Sequence, residues 1–379
     1  MKNFIPVCEP TLKGNELKYV ADCIKTNWIS SSGKYIGEFE KKFSGYCGVK
    51  HGISCATGTA ALHLAVEAMG IGKGDEVIIP TFTMIATCNA VIYAGAKPVL
   101  IDSESGTWNM DVDKIEEKIT KKTKAIMVVH TYGHPADMDS VNKIAKKHGL
   151  KVIEDAAEAH GAEYKGKKTG NLGDIACYSF YANKLITTGE GGMVVTNSDE
   201  WATNARFLRN HYFGEPRFLH KRLGYNHRMT NIQAAIGLAQ LENLDEFIEM
   251  RRKNAHYYNK LLRNVKGITT PPEAEWAKNV YWMYGILVEE GFGMTMPELR
   301  QELDKKGVET RTFFIGMHKQ PCYRLDDGRF SFPDTSGSYP VSDELERKGF
   351  YLPSSSHLTK EQMDSVIDAI KSIQEENKK

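Results

Sequence analysis

Short runs rich in β-branched residues alternate with helical patterns through the first two thirds of this sequence. The strand candidates are residues 76–79, 98–101, 125–129, 151–154, 176–180 and 193–196. Between several of them, apolar residues recur at helical spacing, as at Leu62, Ala65 and Met69. This alternation predicts a mostly parallel α/β sheet with helices on both faces. Such sheets bind ligands at the carboxyl ends of their strands, and we expect the chemistry there.

The pattern changes after about residue 240. The elements predicted beyond this point are helices at 241–265, 297–306 and 359–375 and strands at 281–288 and 308–314. Thr359 and Gln362 have the spacing of a capping box, which marks the start of the last helix. We therefore expect a large α/β domain at 1–240, with a mixed, mostly parallel sheet, and a smaller α+β domain at 241–379.

Charge and hydropathy disfavour several classes of protein. The 49 basic residues nearly cancel the 48 acidic ones, so nothing in the composition calls for nucleic acid or an anionic membrane. No apolar run approaches the roughly 20 residues of a membrane helix, and none near residue 1 resembles a signal peptide. The seven cysteines form no C-x-x-C pair, which favours reduced thiols. We expect a cytoplasmic protein without a metal site.

Lys184 follows one strand candidate and precedes a glycine-rich turn that ends at Gly191 and Gly192. Taken alone, such a lysine is more often a solvated surface residue. Beyond a strand end, however, its amine can be desolvated enough to be neutral. A neutral amine can attack a carbonyl group and form a Schiff base. Lys184 is therefore a candidate covalent anchor.

Asp155 is a second candidate, because it directly follows the strand candidate 151–154. A carboxylate at the carboxyl end of a strand can pair with the protonated ring nitrogen of a pyridine cofactor. Strand alternation points Glu154 to the opposite face, where we expect a structural role. A lone aspartate at this place more often caps a loop or helix. Its significance comes from its combination with Lys184.

The third feature is a possible phosphate cradle. Gly58 and Thr59 directly precede an apolar helix, so free backbone amides and the helix dipole can face an anion. This pattern is weak alone, since Thr-Gly-Thr is also an ordinary helix N-cap. Together with Ser179 it offers donors for one phosphate, and it lacks the glycine patterns of dinucleotide sites and P-loops. One phosphate site, one lysine and one aspartate form a specific set.

Six stretches of the sequence carry a family resemblance. They are GTAAL at 58–62, PTFT at 80–83, EDAAEAHG at 154–161, SFYANK at 179–184, GEGG at 189–192 and GYNHRM at 224–229. In these stretches, and over nearly its whole length, the chain resembles the DegT/StrS family of nucleotide-sugar aminotransferases. The resemblance implies the fold type I architecture and the cofactor pyridoxal 5'-phosphate (PLP). It also implies L-glutamate as amino donor and a nucleotide-linked ketosugar as acceptor.

The resemblance assigns roles to individual residues. Lys184 would hold PLP as a Schiff base and move the proton during catalysis, and Asp155 would pair with the ring nitrogen. The Gly58 amide, Thr59 and Ser179 would bind the phosphate.

Three further positions matter. The asparagine matching Asn226 reaches the cofactor of the neighbouring subunit in the family, which implies a homodimer or a dimer of dimers. Glu158 stands where many members have glutamine beside the phenolic oxygen of PLP, so it must be protonated or receive a compensating donor. Met84 stands where some members have an aromatic ring against the cofactor, a contact that a thioether can also fill.

Lysine at position 184 favours amino transfer, because the related sugar dehydratases have histidine there. The runs at 130–139 and 311–314 most resemble family members that act on GDP-linked 4-keto-6-deoxymannose, and this resemblance implies that acceptor, with Tyr132, Arg311 and His318 as substrate contacts. A hydrogen-bonded loop histidine remains open for His318. A UDP- or dTDP-linked 3- or 4-ketosugar is the alternative acceptor. A non-catalytic protein that senses PLP or a sugar nucleotide is the alternative of another class.

Overall fold

The computed structural model describes residues 4–325 and 328–377. Its strands are β1 His51–Cys55, β2 Glu76–Pro80, β3 Lys97–Ile101, β4 Thr123–Val129, β5 Lys151–Asp155, β6 Glu163–Tyr164, β7 Lys167–Lys168, β8 Ile175–Ser179, β9 Gly192–Thr196, β10 Ile268–Thr269, β11 Ala277–Lys278, β12 Tyr284–Val288, β13 Arg311–Thr312 and β14 Gly349–Leu352. Its α-helices are α1 Glu16–Lys25, α2 Lys34–Cys47, α3 Gly58–Ala68, α4 Ile85–Tyr93, α5 Met138–His148, α6 Asp199–Arg209, α7 Asn231–Leu241, α8 Leu244–Leu262, α9 Met296–Lys305, α10 Pro340–Lys348 and α11 Lys360–Glu376.

Seven strands form the central sheet, in the order β1-β9-β8-β5-β4-β2-β3. Only β9 runs antiparallel to its neighbours, so the sheet is mixed and mostly parallel. All six strand candidates lie in it, which confirms the predicted α/β class. Cys55 and Ser179 both pair with Gly192, and Asp155 pairs with Cys177. The carboxyl ends of β1, β5 and β8 therefore meet at one edge.

Both faces of the sheet are covered. Val77 and Ile79 belong to one hydrophobic cluster and Ile78, between them, to another. Because successive side chains of a strand point to opposite faces, burial on both faces requires an uninterrupted apolar run. This explains why the strand candidates are continuous apolar runs without polar alternation. Helix α3 packs over this sheet and brings its amino end to the edge where β1, β5 and β8 end.

The C-terminal part builds a second, antiparallel sheet in the order β10-β12-β14-β13. Side chains of α8, α9 and α11, among them Tyr258, Leu299 and Ile370, are buried against it. Thr359 and Gln362 form the predicted capping box at the start of α11. Ile5 forms a bridge to Val308, so the first described residues also pack here. A division at residue 240 stays a prediction.

Three predicted elements have different bounds. The helix expected at 241–265 is α8, because Asn243 leaves helical geometry before α8 begins. The strand expected at 281–288 is β12, which begins at residue 284. The strand expected at 308–314 is regular only at β13, although Val308 forms a bridge to Ile5 and the Phe313 amide donates to the Gly349 carbonyl at 3.1 Å. No helix within the described residues is long and apolar enough to cross a membrane.

His160 is fully buried between the sheet and α2, against Phe43, Tyr178 and Phe180. Neither ring nitrogen makes a hydrogen bond of normal geometry within the described chain. Burial, helped by the charge of Lys184, lowers the pKa of His160 to about 3 from 6.5. The ring is therefore neutral in the folded protein at pH values where an unfolded chain would protonate it.

We expect His160→Leu to reduce acid sensitivity. Between about pH 6.5 and 3 the unfolded chain binds a proton at His160 that the folded chain does not. The free energy of unfolding therefore falls with falling pH by up to about 1.4 kcal/mol per unit from this group alone. Urea unfolding of holoprotein from pH 8 to 4 measures the slope. Replacement of the exposed His256 by glutamine serves as control. Equal slopes for His160→Leu and the unmodified chain would contradict the assignment.

Candidate active site

A cavity of about 810 Å³ lies at the sheet edge where β1, β5 and β8 end. Its floor includes Asp155, Ser179 and Lys184, and residues of the C-terminal part close the opposite side. The residues predicted from three separate stretches of sequence are thus brought together in one place. Parallel strands produce this convergence because all their carboxyl ends face the same edge.

Asp155 is buried at the end of β5. Its Oδ2 atom accepts a hydrogen bond from the Thr87 hydroxyl at 2.7 Å, and Oδ1 accepts one from the Ala157 amide at 3.2 Å. Burial raises the pKa of Asp155, while these two donors lower it. Glu154 faces the other side of the sheet, where it pairs with His130 at 3.0 Å and accepts backbone amides. Asp155 is thus the carboxylate of this pair that faces the cavity.

Lys184 lies in the turn after β8 with its side chain almost fully buried. Its Nζ atom is 3.7 Å from Glu158 Oε1 and 3.4 Å from the centroid of the Trp282 ring. Burial lowers the pKa of Lys184, and the nearby carboxylates of Glu158 and Asp155 oppose this. The amine is therefore held near a cavity in an environment that favours its neutral, nucleophilic form more than water does.

Glu158 connects Lys184 to the strand-end loop after β4. Its Oε2 atom accepts the Tyr132 amide at 2.9 Å, while Oε1 faces the Lys184 amine. Burial raises the pKa of Glu158, and the charge of Lys184 lowers it. A glutamate at this position thus has the compensating donors that its burial requires. Its predicted contact with the phenolic oxygen of PLP stays a prediction.

Gly58 is the first residue of α3 and lies directly against Ser179. A Cβ atom at Gly58 would meet Ser179 Cβ at 2.6 Å and Oγ at 3.0 Å. The Thr57 hydroxyl accepts the Ala60 amide, while the amides of Gly58 and Thr59 have no intrahelical partner because they lie in the first turn of α3. Gly58, Thr59 and Ser179 line the cavity together. They provide the backbone and hydroxyl donors that one phosphate needs.

These residues fit PLP by the chemistry of their donors. The cavity offers an amine for an aldehyde, a buried carboxylate for a pyridinium nitrogen, and a helix amino end with hydroxyl groups for a phosphate. Asn183 Oδ1, beside Lys184, is buried without a hydrogen-bond partner in the described part of the chain. A bound polar group would satisfy it.

We expect Gly58→Ala to weaken PLP binding. The added methyl group must displace Ser179 or the helix start, and both hold phosphate donors. Loss of one or two hydrogen bonds to a charged group corresponds to a dissociation constant about 10- to 100-fold larger. Titration of the apoprotein with PLP, followed by fluorescence and absorbance, measures it. Gly37→Ala is the matched control, since Gly37 is exposed and nothing lies within 4 Å of its Cβ position. Equal affinities of the two variants for PLP would contradict the assignment of the phosphate site to the start of α3 and Ser179.

The other predicted positions are distributed differently. Met84 lines the mouth of the cavity and is 48% exposed, which leaves it available for contact with a cofactor or partner. Arg311 also lines the cavity. Tyr132 is buried behind it, and its hydroxyl accepts the Phe314 amide at 3.3 Å. The roles assigned to these residues stay predictions.

His318 and Asn226 do not line this cavity. His318 is buried, with Nδ1 at 2.8 Å from Thr81 Oγ1 and Nε2 at 3.0 Å from Asp343. Both ring nitrogens are thus engaged within the chain. Asn226 forms a bridge with Asn210, on a loop at the surface. A contact with a neighbouring subunit's site is compatible with this position, and both assignments stay predictions.

Sequence reasoning missed three residues of the site. Thr87 holds Asp155, Trp282 lies over Lys184, and Arg300 contributes a guanidinium to the cavity wall. Trp282 and Arg300 lie in the C-terminal part, and no local pattern marks them. Thr87 had a weak signal, because Thr83 and Thr87 lie four residues apart and therefore on one face of a helix start.

Comparisons with known proteins agree with this geometry. The model of the DegT/DnrJ/EryC1/StrS aminotransferase family matches residues 10–371. GDP-perosamine synthase of Caulobacter vibrioides is 47% identical, covering 97% of this chain and 98% of that protein. GDP-perosamine synthase of Escherichia coli O157:H7 is 44% identical with the same coverage. The structure of Helicobacter pylori PseC, an aminotransferase involved in pseudoaminic acid biosynthesis, superposes with a TM-score of 0.91 at 26% identity, covering 99% of this chain and 100% of that one. The chain therefore belongs to the DegT/DnrJ/EryC1/StrS aminotransferase family of PLP-dependent enzymes, and it has their fold type I architecture.

Proposed function

We propose that this protein transfers the amino group of L-glutamate to GDP-linked 4-keto-6-deoxymannose and forms GDP-perosamine. The observation that most strongly supports amino transfer is that Lys184, Asp155 and the possible phosphate site at Gly58 line one cavity. The acceptor rests on the identity of 47% and 44% to two proteins named GDP-perosamine synthase, over 97% of this chain.

Lys184 has the position and environment of the group that moves the proton. When bound, PLP supplies a protonated ring that accepts the electron pair released at the substrate carbon. Burial lowers the pKa of the Lys184 amine, which can take the proton from the α-carbon of glutamate as a general base. In the second half of the reaction it can deliver a proton as a general acid. Glu158, at 3.7 Å, is placed to stabilise the amine in its charged state.

Asp155 and the aromatic wall support this chemistry. Burial raises the pKa of Asp155, and the hydrogen bonds from Thr87 and Ala157 oppose this rise, so they favour the carboxylate form that pairing with a protonated ring nitrogen requires. Phe313 and Tyr351 line the cavity from the C-terminal part. These apolar surfaces exclude water, which strengthens every charge interaction within the cavity.

We also propose a homodimer or a dimer of dimers that works in the cytoplasm. Near Asn226, the segment 213–224 exposes large apolar side chains, with Phe218 71% and Leu223 93% accessible. Such side chains on a surface are typical of an interface. Light scattering of the purified protein would measure the assembly, and a monomer at working concentration would contradict it.

Purified holoprotein with L-glutamate and three nucleotide ketosugars tests the function. We expect 2-oxoglutarate and a GDP-aminosugar, identified by mass, with GDP-4-keto-6-deoxymannose as acceptor. Parallel reactions contain UDP- and dTDP-linked ketosugars. Faster turnover of either alternative sugar would refute the GDP-linked acceptor. A protein that binds PLP but shows no spectral change with glutamate would instead support the sensing function.

A further inference from the structure

The wall of the cavity formed by the C-terminal part carries positive charge only. Among the described residues that line it from that side, Arg300 of α9 and Arg311 of β13 are charged, and none is acidic. The acidic residues that line the cavity, Asp155, Glu158 and Glu190, all belong to the N-terminal part of the chain. An anion that enters the cavity is therefore attracted to the arginine wall on the opposite side.

The guanidinium of Arg300 is held in place by two hydrogen bonds that use only part of its donors. Its Nε atom donates to Thr310 Oγ1 at 3.0 Å and Nη2 donates to the Thr310 carbonyl at 3.2 Å. No carboxylate of the described chain pairs with it, although burial lowers its pKa and only Asp304 opposes this through its charge. Burying part of a charge without a counter-ion costs free energy, unless a bound ligand supplies the opposite charge. Both bonds orient the guanidinium, and Nη1 has no hydrogen-bond partner among the described residues, so it can donate to an anion.

Arg311, on β13, also has only a weak ion pair. Among the described residues, the carboxylate oxygen within 4 Å of its guanidinium is Glu309 Oε1, at 3.9 Å. The other oxygen of Glu309 accepts the Val7 amide at 2.9 Å, which holds this carboxylate to the backbone. The side chain of Arg311 is 53% exposed and keeps donors available. Two guanidinium groups therefore line one wall with little internal neutralisation.

Two substrate anions could use this wall, the carboxylates of glutamate and the diphosphate of the nucleotide sugar. A separate surface cavity of about 970 Å³ is lined by Arg217, Lys221 and Arg228 and by one carboxylate, Glu215, so that its excess of positive charge suits a diphosphate. The planar guanidinium of Arg300 matches the geometry of a carboxylate. We propose that Arg300, assisted by Arg311, binds the side-chain carboxylate of the amino donor and so selects a dicarboxylic amino acid. This inference rests on the proposed amino transfer from glutamate.

Arg300→Gln tests the subsite, with Lys305→Gln as matched control. Lys305 lies on the same helix, pairs with Glu302 and does not line the cavity. Two quantities are measured on holoprotein: the apparent dissociation constant of L-glutamate from the spectral change in a single half-reaction, and that of glutarate, an unreactive dicarboxylate, by calorimetry. We expect Arg300→Gln to raise both about 10- to 100-fold, as for the loss of a charge-assisted hydrogen bond. Lys305→Gln should leave both unchanged.

Different outcomes separate the possibilities. An increased KM for the nucleotide sugar with unchanged glutamate and glutarate binding would overturn the proposal and assign the wall to the diphosphate. Unchanged binding of all three ligands would also overturn it. Arg300 would then have only a structural role, through its hydrogen bonds to Thr310. If Arg300→Gln fails to fold, Arg311→Gln replaces it, with a smaller increase expected for the same two constants. Failure of the unmodified holoprotein to react with glutamate would refute the proposed function itself, whereas glutarate binding would still report on the wall.

Discussion

Lys184→Ala is expected to abolish turnover and to leave PLP bound without a covalent link. The change removes the only amine in the cavity floor that lies between Glu158 and Trp282, within the described residues. Loss of a positioned general base and acid lowers a rate by about 10²- to 10⁴-fold, and loss of the nucleophile adds to this. Turnover should therefore fall by at least about 10⁴-fold. The rate of 2-oxoglutarate formation measures it.

A second measurement separates lost chemistry from lost folding. Borohydride reduction followed by mass spectrometry should attach one cofactor to the unmodified chain and none to Lys184→Ala. Lys184→Arg keeps a positive charge beside Glu158 but should be equally inactive, since a guanidinium stays protonated. Replacement of the exposed Lys124 by alanine should change neither rate nor adduct. Full activity of Lys184→Ala would refute the assignment of this residue.

The central sheet was predictable because burial on both faces leaves a clear mark on the sequence. Strands such as β2 and β4 require continuous apolar runs, and these runs are visible without knowledge of the fold. The convergence of Asp155 and Lys184 was also predictable, since parallel strands bring their carboxyl ends to one edge. Local patterns thus determined both the scaffold and the two residues at its centre.

Contacts between the sheet and the C-terminal part were not predictable in the same way. Trp282 lies over Lys184 and Arg300 faces the cavity because of how two sheets pack, and no periodicity of one segment encodes that. The regular strand in the segment expected at 308–314 is also shorter than predicted, because its length depends on pairing with β14 and not on the β propensity of the segment alone.

Helix α8 shows a different limit of sequence reasoning. The helix was expected to begin at residue 241, yet Asn243 leaves helical geometry and α8 begins after it. The Asn243 side chain donates to the Ala239 carbonyl at 3.1 Å, a local bond that competes with the regular helix.

Asp155→Asn is expected to reduce turnover by about 10²- to 10⁴-fold while the protein stays folded. The amide has the same shape, and its oxygen can still accept the Thr87 hydroxyl now bound at 2.7 Å. It carries no charge, however, and cannot hold a ring nitrogen in its protonated form. Removing one partner of a buried charge pair costs about 3–5 kcal/mol. At 1.36 kcal/mol per tenfold change, this gives the expected loss of rate.

Thr87→Val keeps the carboxyl group of Asp155 and changes only its hydrogen bonding, so it tests the two effects separately. The substitution removes the stronger of the two donors to Asp155 and leaves the carboxylate in place. Because that hydrogen bond lowers the pKa of Asp155 against burial, its loss raises this pKa and weakens the hold on a protonated ring. Activity should therefore fall by about 10-fold, the value of one hydrogen bond, and fall further at acid pH. Asp155→Asn should show no such acid-side loss, since it has no carboxyl group to protonate. Identical pH profiles for the two variants would contradict a role for Asp155 as a carboxylate.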